Sequence, residues 1–163
     1  LQARRRRRRV RRDTAQELEW IGRQIAELKA IEGYRDRDFA ILYRWRTPYQ
    51  RLIQEHLSGE LSLVEIARDP ASYFGPGAKH TTFHSAKGLE FKVVFVVGVT
   101  DGRFVPRDDW SLQGEELADY LARERRLLYV AMTRARDRLY LTCSRGLPSR
   151  FLAVVPDGYL RVV

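Results

Sequence analysis

Apolar positions along this chain fall into two alternating spacings. Leu18, Ile21, Ile25 and Leu28 recur at three- and four-residue steps, with Trp20 less regularly placed, which predicts one face of a helix running to about Ile31. Asp13 or Thr14 is placed as its N-cap, Glu17 as the partner in a capping box, and Gly33 as its stop. Phe39–Tyr43 is a short continuous apolar run, the mark of a buried strand, and a helix starting near Pro48 runs to about Leu57. Residues 61–68 alternate weakly and predict another strand. Asp69-Pro70 and Gly75-Pro76-Gly77 are turn signals, so 70–79 reads as a loop. Thr81-Thr82-Phe83 predicts a short strand, and Val93–Val97 is apolar throughout, as a strand covered on both faces requires. Leu117, Leu121, Leu128 and Ala131 then predict a helix from about Gly114 to Thr133, followed by a strand at Leu139–Thr142. Pro148-Ser149-Arg150 reads as a turn, and residues 158–163 as a tail or edge strand.

Strands alternating with helices imply an α/β fold, a mostly parallel sheet flanked by helices on both faces. The segments 81–83, 93–97 and 138–142 are expected as neighbouring strands. A length of 163 residues suits one domain with enough chain for a real core.

Composition changes this picture less than the net charge of +9 suggests. Eight of the positive charges are Arg4–Arg9, Arg11 and Arg12, so residues 13–163 carry only +1. The boundary is therefore drawn between an arginine-rich segment at 1–12 and a folded body at 13–163. A run of like charges is a solvated arm or, alternatively, an edge strand facing nucleic acid. A chain beginning at Leu1 is expected to be a piece of something longer. The single cysteine, Cys143, excludes an internal disulfide framework, and no zinc spacing occurs. No apolar run approaches a membrane span, so no membrane partner is expected, and the default is a soluble intracellular protein.

Chemistry concentrates in two stretches. His84-Ser85-Ala86-Lys87-Gly88-Leu89-Glu90-Phe91 places an imidazole, an ammonium, a flexible glycine and a carboxylate between two predicted strands. Residues 124–136 place Glu124, Arg125, Arg126, Arg134 and Arg136 on and after a helix. A third cluster, Arg44, Arg46, Thr47 and Arg51, lies at a strand-to-helix turn, where amides and cations favour phosphate. Surface arginines beside a helix start are the plainer account of that cluster.

Residues 82–91 and 124–135 resemble motifs V and VI of the UvrD/Rep-like superfamily 1 DNA helicases, in the right order and separation. Tyr43-Arg44 before a helix is similar to the family's motif IVa, and Asp101-Gly102-Arg103-Phe104-Val105-Pro106 resembles its E-G-x-F-P turn. The resemblance covers about 13–152 and implies the second of two RecA-like motor domains, P-loop NTPase-type in fold but lacking the phosphate loop. One departure is plain. The family's large accessory domain falls between about 57 and 81, where 23 residues separate Leu57 from Thr81.

The resemblance also implies roles. Arg134 matches the arginine that reaches the γ-phosphate from the opposite domain, and its permanent charge and forked donors suit phosphate oxygens. A helix-end cation bonding nearby carbonyls is the alternative. Glu90 matches the carboxylate that contacts the nucleotide ribose, the alternative being a salt bridge to Arg125 or Arg126. Thr82 and His84 match positions near the DNA strand, with Arg44 and Thr47 beside them. Lys87 either neutralises a phosphate or bridges to an acidic neighbour. Tyr129 is expected to pack beneath the site. Trp20, Trp45 and Trp110 form no motif and read as packing.

No G-x-x-x-x-G-K-[ST] stretch is present, nor an apolar strand ending in an Asp-Glu pair for Mg²⁺. By the resemblance, ATP and Mg²⁺ are the cofactors, Mg²⁺ held mainly by the absent first RecA-like domain. Single-stranded and duplex DNA and that first domain are the partners. The chain is expected to supply half of an ATP site within a 3′–5′ helicase and to be inactive alone. Two alternatives stand beside this: a nuclease-associated relative with the same motor, and a non-catalytic nucleic-acid-binding module using the basic N-terminal segment.

Overall fold

The computed structural model describes residues 2–66, 71–100, 112–143 and 148–156, with side chains from residue 14 onward. The expected Asp101–Pro106 turn, Trp110 and the 158–163 tail lie outside these residues. In chain order the elements are α1 (Gln2–Glu32), β1 (Phe39–Tyr43), α2 (Arg46–Leu57), β2 (Leu63–Glu65), the short α3 (Ala71–Phe74), β3 (Ala78–Thr82), β4 (Phe91–Val97), α4 (Gly114–Met132) and β5 (Ala135–Leu141). Short 3-10 turns at Asp36–Asp38 and Arg150–Leu152 complete the set.

The five strands form one sheet in the order β2-β3-β1-β4-β5, and each neighbouring pair is parallel. The expected α/β, RecA-like architecture is therefore present. One detail is corrected: β3 and β4 are not neighbours, because β1 lies between them. The reason is burial. All five residues of β1 are buried, so β1 needs a strand on each edge and a layer on each face. β4 and β5 do pair as expected, from Phe91↔Ala135 to Val96↔Leu141.

The alternation along β1 and β4 explains the two cores. Phe39, Ile41, Tyr43, Val93, Phe95 and Val97 face α1 and α2, where they meet Leu18, Ile21, Ile25 and Leu28 and the buried face of α2. Ala40, Leu42, Val94 and Val96 face the other way, against Phe83, Ala86, Phe91, Leu128 and Ala131. Both faces being covered is what makes the strand run apolar without interruption. Each such fully buried side chain stabilises the fold by roughly 1.5–3 kcal/mol.

Three local expectations change. The helix α1 starts at Gln2, so the arginine run has helical backbone and is not an edge strand. Positions 13 and 14 therefore lie inside the helix and not at its start, and Glu17 has another use, described below. The apolar stripe ends at Leu28, since Ile31 is 75% exposed; Gly33 closes the helix with φ +73°. Residues 70–79, read as a loop, include α3 and the start of β3. That start is fixed by Lys79, whose buried ammonium donates to the carbonyls of Gly75 and Gly77. Burial lowers its pKa from the ordinary lysine value.

Candidate functional site

The segment 83–90 leaves the C-terminal end of β3 and enters the N-terminal end of β4, so it crosses one face of the sheet. Ala86 is the buried contact that holds it there. Gly88, at φ +83°, makes the bend that a side chain would strain. The segment thus carries polar groups to both edges of the sheet.

At the N-terminal edge it meets the end of α4. Phe91 N–H donates to Arg134 O at 2.9 Å, and Arg134 Nη1 donates to Leu89 O at 3.1 Å. Glu90, between those two residues, is exposed, and its carboxylate has no ion-pair partner among the described residues. The alternative of a bridge to Arg125 or Arg126 is thus not what the side chain does; Arg126 Nε donates to Ala122 O instead. Glu90 and Arg134 share one edge, as expected. Arg134 also donates from Nε to Val130 O at 2.9 Å and from Nη2 to Thr133 Oγ1 at 3.1 Å. In this conformation its fork is held by neutral acceptors at the helix end, the alternative the sequence had left open.

The opposite edge gathers the other candidates. Tyr43 pairs with Thr82 and with Val97, so the turns after β1, β3 and β4 leave the sheet side by side. Thr82 Oγ1 lies 3.1 Å from Ser85 Oγ and accepts from Ser85 N–H, which forms the turn presenting exposed His84. Thr47 is exposed at the start of α2. Lys87 lies between the two edges, exposed and without an ion-pair partner among the described residues, so it bridges to no acidic neighbour there. Arg46 pairs with Glu65 at 3.2 Å and Arg51 with Glu55 at 2.6 Å, both on the surface.

Arg44 departs from expectation. Its Nε and Nη2 form a bidentate pair with Glu124 of α4 at 2.6 and 2.8 Å, the side chains only 14% and 6% exposed. Its Cζ also lies 3.8 Å from the centroid of the Trp45 ring. Arg44 is therefore committed inside the protein rather than extended toward a DNA phosphate. Glu124 faces inward because it shares the helix face of Leu128 and Ala131, four and seven residues on. The same geometry turns Tyr129 outward, 67% exposed, so it does not pack beneath the site.

A cleft of about 130 Å³ opens at this edge, lined by Arg44, Trp45, Thr47, Pro48, Tyr49, Val97 and Gly98. It lies where the chain leaving β1 turns to one side and the chain leaving β4 to the other. Crevices at such switch points, outside the carboxyl ends of parallel strands, are where open α/β sheets hold ligands. Trp45, 41% exposed, lines the cleft as surface and not as packing.

Beneath the cleft, Glu17 ties four elements together. It accepts from Gly98 N at 2.7 Å, Thr142 Oγ1 at 2.5 Å and Tyr49 Oη at 3.0 Å. Sequence reading missed this because the spacing suited a cap equally well. Alongside, buried His80 lies between Tyr43 Oη (3.3 Å from Nδ1) and Gln54 Nε2 (3.1 Å from Nε2). With the Gln54 amide nitrogen facing it as a donor, Nε2 accepts, which assigns the ring proton to Nδ1 beside Tyr43 Oη. Burial lowers the His80 pKa, and burial, aided by Glu65, pushes the Tyr43 hydroxyl up to about 12.

No cluster of three His, Cys, Asp or Glu able to hold a metal occurs among the described residues. No helix there is long and apolar enough to cross a membrane.

A parallel α/β sheet with polar turns at both edges defines the class, and the comparisons narrow it. Residues 78–146 match the family described as UvrD-like helicase C-terminal domain. DNA helicase II of Haemophilus influenzae is 41% identical over 103 residues, which are 57% of this chain and 14% of that protein. The ATP-dependent DNA helicase PcrA of Staphylococcus aureus is 36% identical over 128 residues, 72% of this chain and 17% of that one. The chain thus spans under a fifth of the length of these relatives. The crystal structure of the C-terminal domain of a possible DNA helicase from Lactobacillus plantarum superposes with a TM-score of 0.62 at 23% identity. It covers 86% of this chain and 74% of that one, and shows the shared fold. The match to the UvrD-like helicase C-terminal domain family thus covers residues 78–146, and the relatives named DNA helicase II and PcrA are DNA helicases.

Proposed function

We propose that this chain is the second motor domain of an ATP-dependent DNA helicase, supplying half of the ATP site and part of the DNA track. The observation that carries this reading is the meeting of its two motif stretches at one sheet edge, through Arg134 Nη1 to Leu89 O and Phe91 N to Arg134 O. Glu90, whose carboxylate suits ribose hydroxyls, follows Leu89 in the chain, and Arg134, whose fork suits phosphate, bonds the Leu89 carbonyl. ATP, with Mg²⁺, supplies the phosphoryl group whose transfer to water drives motion. Glu90 accepts from the sugar hydroxyls, and Arg134 leaves its carbonyl acceptors to stabilise charge developing on the γ-phosphate. The described residues include no group of three carboxylate, imidazole or thiol side chains that could hold a metal, and in this reading Mg²⁺ is held mainly by the first RecA-like domain.

At the other edge, Thr47 of the Trp45 cleft, together with Thr82 and His84 at the end of the neighbouring strand β3 and Lys87 further along that segment, forms the track for single-stranded DNA. A hydroxyl bonds phosphate, and aromatic rings stack on bases without regard to sequence. Arg44 acts there as a support and makes no phosphate contact. The parent enzyme works in the cytoplasm on nucleoid DNA.

The test uses the full-length protein that contains this chain, with ATP turnover measured with and without single-stranded DNA. Unwinding is compared on duplexes bearing a 3′ or a 5′ tail. DNA-stimulated turnover and unwinding from the 3′ tail are expected, with no turnover by the isolated 163-residue chain. Turnover indifferent to DNA, unwinding only from the 5′ tail, or hydrolysis by the isolated chain would each contradict the reading.

A further inference from the structure

The two edges of the sheet are joined by a route of direct contacts that no sequence motif assigns. Trp45 lines the cleft and lies against Arg44, 3.8 Å from its Cζ. Arg44 grips Glu124 with two short parallel bonds, largely out of water. Glu124 sits in the middle of α4, and ten residues further on Arg134 stands at the other edge. At 1.5 Å per residue, α4 spans roughly 12 Å as a hydrogen-bonded rod from Glu124 to its last residue, Met132, two residues before Arg134. A rod of this kind passes on a displacement of Glu124 instead of absorbing it.

We infer that the Arg44–Glu124 pair is a positioning link that makes ATP turnover depend on DNA. Occupation of the cleft beside Trp45 sets where Arg44 lies, Arg44 sets the seat of α4, and α4 sets how readily Arg134 leaves Leu89 and Val130. The inference rests on the proposed function. The pair's geometry suits the role: a fork-to-carboxylate bond has one good orientation, whereas an apolar contact would slide. Its burial also matters, since an exposed pair would be screened and would hold nothing in place.

The experiment uses the full-length protein with Glu124→Gln and Glu124→Ala. Turnover is measured without DNA and with saturating single-stranded DNA, together with the KM for ATP, DNA affinity and thermal unfolding. In Glu124→Ala the stimulation by DNA should fall by about tenfold or more, the range of a coupling between two sites. Turnover without DNA and the KM for ATP should stay near those of the unaltered protein. Glu124→Gln keeps one acceptor for Arg44 and should lose less, so it carries the test if the alanine form folds poorly. In an Arg44→Met background, Glu124→Ala should have no further effect on the stimulation, because the link is already broken. Unchanged stimulation in a folded Glu124→Ala protein would overturn the inference. So would an equal fall in turnover with and without DNA, which would mark the pair as structural support alone. If the unaltered protein shows no DNA-stimulated turnover, the proposed function fails before this inference is reached.

Discussion

Removing the Glu17 carboxylate should loosen the whole cleft edge at once. Glu17→Ala takes the acceptor from Gly98 N, Thr142 Oγ1 and Tyr49 Oη, which belong to three separate elements or their ends. A hydrogen bond to a charged group contributes about 1.5–3 kcal/mol. The three are not additive, because Glu17 is only partly buried and water can replace one acceptor. Thr142 Oγ1 also keeps a long alternative to Val96 O at 3.5 Å. The expected loss is therefore about 2–4 kcal/mol, more than one bond and less than three. For a chain of this size that lowers Tm by about 5–15 °C. Glu17→Gln retains one carbonyl oxygen and should lose about half as much, and Tyr49→Phe about 1 kcal/mol. Urea unfolding of the 163-residue chain reads these values, with an unchanged slope showing that the native fold persists. A Glu17→Ala loss below about 0.5 kcal/mol would mean that the carboxylate is a surface acidic group and the network has no energetic weight.

Two further stability predictions follow from the same edge. Gly98 has φ +68°, and a Cβ there would run into Tyr49 Oη, so Gly98→Ala should destabilise by about 2–4 kcal/mol in urea unfolding. His80 has a folded pKa below its ordinary 6.5, so stability is fully present above pH 6.5 and declines as pH falls toward the folded value. There the unfolded chain takes up a proton that the native ring refuses, since Gln54 already donates to Nε2. The decline should be at most about 1.4 kcal/mol per pH unit, and His80→Gln should remove that component from a pH series of unfolding midpoints.

Where periodicity and burial agreed, the chain announced its fold. Phe39–Tyr43 and Val93–Val97 could only be covered strands, and the stripe on α4 placed Leu128 and Ala131 inward. Strand order was not legible, because an apolar run states how deeply a strand is buried and not which neighbours it has. The same limit applied to side chains with two good uses. Glu17 fits a capping box by spacing, yet three donors brought from positions 49, 98 and 142 claim it. Arg44 reads as a phosphate ligand beside a helix start until Glu124, eighty residues later, arrives at its fork. The one available signal was Glu124 itself, an acidic residue on the apolar face of α4, which needs an internal cation. The contact between the segment before β4 and the end of α4 has no periodicity behind it, and only the resemblance of residues 82–91 and 124–135 to two motifs hinted that they belong together.

The remaining prediction concerns what Arg134 does when its acceptors change. All three guanidinium nitrogen types donate here to uncharged oxygens: Val130 O, Leu89 O and Thr133 Oγ1. Such bonds are roughly half as strong as those to an oxyanion, so a phosphate within reach outcompetes them. Under the proposed function, the resting contacts keep the arginine aligned at little cost and release it only when the cleft closes on nucleotide. Contact that strengthens as the transition state forms lowers the barrier more than it tightens binding. Arg134→Ala in the full-length protein should then reduce kcat by about 10³- to 10⁵-fold, or about 4–7 kcal/mol, with a much smaller change in ATP affinity. Arg134→Lys should restore little, because one ammonium cannot reproduce a planar fork. The resting bonds also tie the end of α4 to the segment before β4, so folding should weaken by about 1–2 kcal/mol in the alanine form. DNA-stimulated turnover, nucleotide affinity and thermal unfolding, measured on the same preparations, separate these effects. Near-normal turnover in a folded Arg134→Ala protein would leave the residue a helix-end brace and remove it from the chemistry.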